Sequence, residues 1–168
     1  AKDLFEDVEG DERFNKDLSY FQADMSFKNA EFEKAITLAK EQLTRSNRAE
    51  KSELNKIIGE SYFNLGKYEE AIPFLKEYNG ERGKWSNTDY YQLGYAYFMQ
   101  GNYDASISEF NKIIDGDNAV AQNAYYHLAE AYLKLDQKQQ ALNAFKNASE
   151  MDFDSNIKED AFLNYAKL

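Results

Sequence analysis

Asn87 to Asn118 reads NTDYYQLGYAYFMQGNYDASISEFNKIIDGDN, and this stretch decides the fold. Tyr90, Leu93, Gly94 and Tyr97 recur at helical spacing. Gly101 breaks the pattern, and Tyr103, Ser106, Ile107, Phe110 and Ile113 begin a second helical stripe. Two amphipathic helices joined by a tight turn cannot bury both stripes alone, so copies of the pair must stack on one another.

The copies are present. Gly94 has Gly59 as its counterpart 35 residues earlier and Ala129 35 residues later. Ile58, Leu93 and Leu128 precede these small residues, and Tyr62, Tyr97 and Tyr132 follow three positions on. A turn comes at Gly66, Gly101 and Asp136, and the second helices align as Ala71, Ser106 and Ala141, then Leu75, Phe110 and Phe145. The small residue lets two helix backbones approach, and the aromatic one turn later fills the groove beside it. This period and residue order resemble the tetratricopeptide repeat, which implies an all-α, right-handed superhelical solenoid of helix-turn-helix repeats.

With that frame, repeats are expected at 52–83, 87–118 and 122–153, after a degenerate repeat at 16–47 with Ala23 at the small position. Residues 1–10 follow the second-helix pattern, with Ala1 on Ala71, Phe5 on Leu75, Val8 on Tyr78 and Gly10 on Gly80. Residues 156–168 follow the first-helix pattern. The expectation is one solenoid unit over 1–168, cut from a longer array with half a repeat at each end. Helices are expected at about 1–9, 16–29, 32–44, 48–64, 68–79, 87–100, 103–115, 119–135, 138–150 and from 156. Ser86 with Asp89 makes a capping box, and Asn156 with Glu159 offers a second. Trp85, in the longest connection, is expected to pack over the end of a neighbouring pair.

The composition narrows the function classes. A net charge of −10 over 168 residues disfavours nucleic acid, whose phosphates require clustered Lys and Arg, and it disfavours an anionic membrane surface. No stretch suits membrane insertion. Cysteine is absent, so disulfides and thiolate chemistry are excluded. The single histidine, His127, has no second histidine to complete a zinc site and no nucleophile to activate. Asp152, Asp154 and Asn156 open like a calcium loop, but Ile157 and Leu163 stand where glycine and the closing glutamate are required, so these residues read as helix caps. No acid/base pair, metal cluster or phosphate loop is found, and no cofactor is expected. The chain reads as a non-enzyme.

In the repeat class that the sequence resembles, first helices line a concave surface. The resemblance places Tyr20, Asp24, Lys56, Glu60, Tyr91, Tyr95, Met99, Tyr126, Glu130 and Lys134 on that face. Phe27, Phe63, Phe98 and Leu133 recur at one position and are expected to pack against the adjacent repeat. Tyr91, Tyr95 and Tyr126 are the expected partner anchors, since Tyr gives large contact area at low entropic cost. A chaperone-type carboxylate clamp is disfavoured: Lys56 matches its lysine, but Glu60, Thr88 and Gln92 replace its other polar and basic positions. NAYYHLAEAYLKLDQKQQALNAFKNAS also resembles long exported multi-repeat proteins of Bacteroidetes, which implies a periplasmic or cell-envelope scaffold. The leading expectation is therefore a scaffold for a protein or peptide. The alternatives are a structural spacer that self-associates end to end and a glycan-binding accessory segment.

Overall fold

The computed structural model describes residues 18–168, and every regular element among them is helical. The predicted helix at 1–9 and the first residues of the next lie outside the described residues. Helix α1 covers 18–28. It is followed by α2 (Phe32–Leu43), α3 (Arg48–Asn64), α4 (Tyr68–Glu77), α5 (Asn87–Met99), α6 (Tyr103–Phe110), α7 (Ala119–Lys134), α8 (Lys138–Ser149) and α9 (Ser155–Lys167). The chain divides into two compact units, one ending at Asn79 and the other spanning Gly80–Leu168.

Each pair closes through the same turn. Ala30, Gly66, Gly101 and Asp136 stand at equivalent positions and all adopt positive φ, 60°, 73°, 76° and 57°. The residue after each one donates its N–H back to a first-helix carbonyl: Glu31 to Ser26, Lys67 to Tyr62, Asn102 to Tyr97 and Gln137 to Tyr132, at 2.8–3.0 Å. This left-handed stop satisfies carbonyls that the helix end would leave orphaned, and it reverses the chain within three residues.

The first unit buries Ala23, Ala35, Ile36, Ala39, Leu54, Ile57 and Ile58 between α1, α2 and α3. The second unit centres on Phe110, Leu128 and Phe145, with Ala124, Ala129, Ala144, Ala148 and Ala161 around them. The small-residue positions work as the spacing predicts. A Cβ on Gly59 would lie 2.9 Å from Leu75 N, and one on Gly94 would lie 2.8 Å from Phe110 Cε1.

The helix starts are also fixed by side chains. Ser86 and Asp89 form the expected capping box, and Asn47 with Glu50 forms another. At α9 the cap is Asp154, whose Oδ1 accepts from Asn156 and Ile157 N–H, and it replaces the Asn156–Glu159 box expected there. Helix α6 ends at Phe110, five residues before its expected end. The following N–H groups of Lys112 and Ile113 bond three residues back, to Glu109 and Phe110, so the chain tightens into turns while Ile113 stays buried. Trp85 rests on Tyr90 of α5, ring centroids 5.1 Å apart, at the end of a helix pair as expected.

A polar clasp recurs at one position of the first helices. Ser52 Oγ accepts from Asn79 N–H at 2.9 Å, tying the start of α3 to the segment after α4. Gln122, fully buried near the start of α7, does this five times over. Its amide nitrogen donates to the carbonyls of Ala148, Met151 and Asp154 at 3.1, 2.7 and 3.3 Å. Its Oε1 accepts from Phe153 and Asp154 N–H at 3.1 and 2.7 Å.

Candidate partner-binding surface

In the second unit the first helices lie side by side, α5 against α7 and α7 against α9, with α6 and α8 packed behind them. This arrangement gathers residues from two repeats on one face. Tyr91 and Tyr95, one turn apart on α5, stack with centroids 6.0 Å apart. Tyr126 on α7 packs edge-on against Phe145 at 5.9 Å. Tyr91, Tyr95 and Tyr126 are all half-buried, so each has one part in the core and one facing water.

The residue that joins them is His127. Its imidazole centroid lies 6.2 Å from Tyr91, 5.1 Å from Tyr95, 5.6 Å from Phe98, 6.3 Å from Phe110 and 5.5 Å from Tyr126. Its Nδ1 lies 2.9 Å from Glu130 Oε1. No metal or catalytic pattern in the sequence includes His127, and its packing among the rings has no sequence signature. Its equivalents in the preceding pairs, Ile57 and Gln92, share no chemistry with it, so the repeat pattern carried no signal.

The other predicted residues divide by unit. Met99 is 47 % exposed and Lys134 is exposed, and neither joins the ring cluster. Glu130 joins it through His127. Burial pushes the Tyr126 phenol above its usual range, helped by the nearby carboxylates of Glu130 and Asp160. In the first unit, Asp24 pairs with Lys28 at 2.7 Å, Lys56 holds its ammonium 4.8 Å over the Tyr78 ring, and Glu60 is half-buried. Tyr20, also raised first by burial and then by Glu53 and Asp24, lines a groove of about 490 Å³ with Phe21, Gln42 and Glu53; Asp24, Lys56 and Glu60 lie outside its walls. In the first unit Asp24 and Lys56 both lie close enough to act on the Tyr20 phenol, Asp24 raising it and Lys56 lowering it.

Phe27, Phe63 and Phe98 are packing residues. Each sits edge-on to the first ring of its own second helix: Phe32, Tyr68 and Tyr103, at 5.7, 5.4 and 5.6 Å. Phe98 also meets His127 of the next pair. Leu133 is 37 % exposed, and Lys138 stands where Tyr68 and Tyr103 place a ring in the two preceding pairs.

Among the described residues no cluster of His, Cys, Asp or Glu is arranged to hold a metal ion, and no helix is long and apolar enough to cross a membrane.

The tetratricopeptide repeat family model matches residues 1–83, and a model of the anaphase-promoting complex (cyclosome) subunit 3 family matches residues 81–148. No curated protein matches the chain. Among solved structures, MamA from AMB-1 superposes with a TM-score of 0.69 at 20 % identity, covering 82 % of this chain and 78 % of that one. MamA from MSR-1 gives 0.66 at 17 % identity over 87 % and 78 %. YrrB, described as a TPR protein with an unusual peptide-binding site, gives 0.68 at 18 % identity over 89 % and 73 %. These likenesses agree with the helical repeat superhelix that the sequence implies.

Proposed function

We propose that these tetratricopeptide repeats work as a non-catalytic scaffold that holds a protein or peptide segment on the first-helix face, anchored by Tyr91, Tyr95 and Tyr126. The observation that carries this reading is the half-buried aromatic cluster that two neighbouring first helices build around His127. Rings locked at the base and open at the edge supply the rigid apolar contact that interface anchors need. Met99, Glu130 and Lys134 stand beside these anchors in the repeat register. Tyr20, Asp24, Lys56 and Glu60 are the corresponding contacts proposed for the first unit. A net charge of −10 favours a basic or neutral segment. The peptide-binding site of YrrB lends support to a peptide ligand.

We read residues 1–168 as one run of repeats, because the 35-residue register continues from Gly59 to Gly94. The setting proposed, on the resemblance to exported multi-repeat proteins of Bacteroidetes, is the periplasm or cell envelope.

The test is affinity capture from an extract of the native source, with the chain beside a Tyr91→Ala/Tyr95→Ala/Tyr126→Ala variant of equal helicity. A protein retained by the first and lost by the second is the expected result, and equal retention by both overturns the site. A second reading, self-association, is favoured by α9. Leu163 stands in register with the buried Leu93 and Leu128, yet it is 47 % exposed, beside Phe162 at 60 % and Tyr165 at 39 %. A mass that rises with concentration, with nothing captured but the chain itself, selects that reading.

A further inference from the structure

We propose that the groove between α1, the end of α2 and the start of α3 binds a peptide segment of a partner protein. The segment carries an apolar side chain beside a lysine or arginine, and the Gln42 amide holds its main chain. This rests on the partner-binding reading above and uses Tyr20 of it, but none of the anchors on α5 and α7. The observation that carries it is Gln42, which is 3 % exposed and lines the groove. Its main-chain carbonyl accepts from Thr44 and Arg45 N–H and from the Ser46 hydroxyl. Its side-chain amide has no hydrogen-bond partner among the described residues. The same position of the later second helices holds Tyr78, Ile113 and Ala148, all buried. An amide without a partner is costly to bury, so packing gives no reason for a glutamine here.

Gln122 shows what a buried amide does in this chain when main chain surrounds it: it donates to three carbonyls and accepts from two N–H groups. An incoming peptide offers Gln42 the same donors and acceptors. The walls fit the rest of the segment. Tyr20 and Phe21 of α1 and Ala49 of α3 line the space of about 490 Å³ with apolar surface, and Phe21 is 61 % exposed. Glu50 and Glu53 line it from the first turns of α3, and Glu53 is close enough to raise the Tyr20 phenol. Among the described residues no lysine or arginine lines it, and Arg45 and Arg48 are exposed outside its walls. A cationic side chain next to the apolar one therefore meets carboxylates, and an anionic one meets repulsion.

The experiment selects a displayed library of random peptides on the full chain, counter-selects on Gln42→Leu, and follows a synthetic copy of the selected peptide by amide NMR. Selected peptides are expected to place leucine, isoleucine or phenylalanine beside lysine or arginine and to shift the Gln42 side-chain NH₂ resonances. Binding to Gln42→Leu is expected to be about tenfold weaker. The same substitution is expected to raise the unfolding midpoint, whereas loss of a merely structural glutamine lowers it. Glu53→Gln, at an exposed position, is expected to weaken binding about threefold, and less as salt rises. It keeps the proposal falsifiable should Gln42→Leu fail to fold. No peptide preferred by the native chain over Gln42→Leu, or selected peptides without basic residues, overturns the proposal. Gln42 resonances that follow chain concentration without peptide assign the groove to a second copy and overturn the foreign partner. A peptide that leaves Gln42 still and moves the resonances of α5 and α7 overturns the groove while the second-unit surface stands. Equal capture by the native chain and the triple tyrosine variant overturns that surface and leaves the groove to be decided by Gln42.

Discussion

One position of the first helix carries Tyr20, Lys56, Tyr91 and Tyr126 in turn, and the two units use it differently. In the first unit, Lys56 folds its ammonium over Tyr78 of the same unit, so its charge is engaged within the fold. In the second, Tyr91 and Tyr126 converge from adjacent helices on one imidazole. The backbone frame is the same in both, with the left-handed turn and the small residue under a large one. What differs is the chemistry placed on the frame. The repeat guarantees where a side chain stands, and its neighbours decide whether it faces outward as a contact or inward as a brace.

The clasp position offers the sharpest way to break that comparison. Gln122→Ala strips partners from buried carbonyl and N–H groups after α8, and is expected to cost about 3 kcal/mol. The equivalent Ser52→Ala removes a single bond to Asn79, and is expected to cost about 1 kcal/mol. Denaturant unfolding of both variants reads the difference, and equal losses would mean that the extra bonds of Gln122 add nothing.

The small-residue position gives a smaller contrast. In Gly59→Ala the new methyl meets the backbone nitrogen of Leu75, which can move only by shifting a helix, and a loss of about 2 kcal/mol is expected. In Gly94→Ala it meets the ring of Phe110, and the better helix propensity of alanine offsets part of the strain, leaving about 1 kcal/mol. A reversed order in thermal or chemical unfolding would show that the buried Phe110 yields less than a backbone does.

The turn position gives the smallest effect and the opposite sign. Ala30 holds φ at 60° where Gly66 and Gly101 hold similar angles without a side chain. Ala30→Gly is expected to stabilise by about 1 kcal/mol, as a rise in the unfolding midpoint. No gain would mean that the first pair differs from the others at its turn.

These comparisons also show what the sequence made readable. The turns, the small-residue contacts and the Ser86 cap repeat with a fixed period and depend on local backbone chemistry, so spacing alone located them. His127 and Gln122 were illegible because their roles come from partners brought close only by folding. Gln122 reaches residues 26 to 32 positions away, and His127 meets rings from two other helices. A faint signal for the clasp did exist: Ser52, Asn87 and Gln122 keep one polar position in three successive pairs. The early end of α6 had no such signal, since Ile113 remains buried whether it lies in a helix or a turn.

The Gln122 clasp has a mechanical meaning as well. Helix pairs stacked in series lengthen under tension by peeling away one at a time, and the weakest seam yields first. A single amide that holds both the start of α7 and the backbone from Ala148 to Asp154 is a rivet across such a seam. Pulled from its ends, the α7–α8 repeat should therefore be among the later ones to open, and the linkage from α8 to α9 should carry load that after α4 is shared by a single hydrogen bond at Ser52.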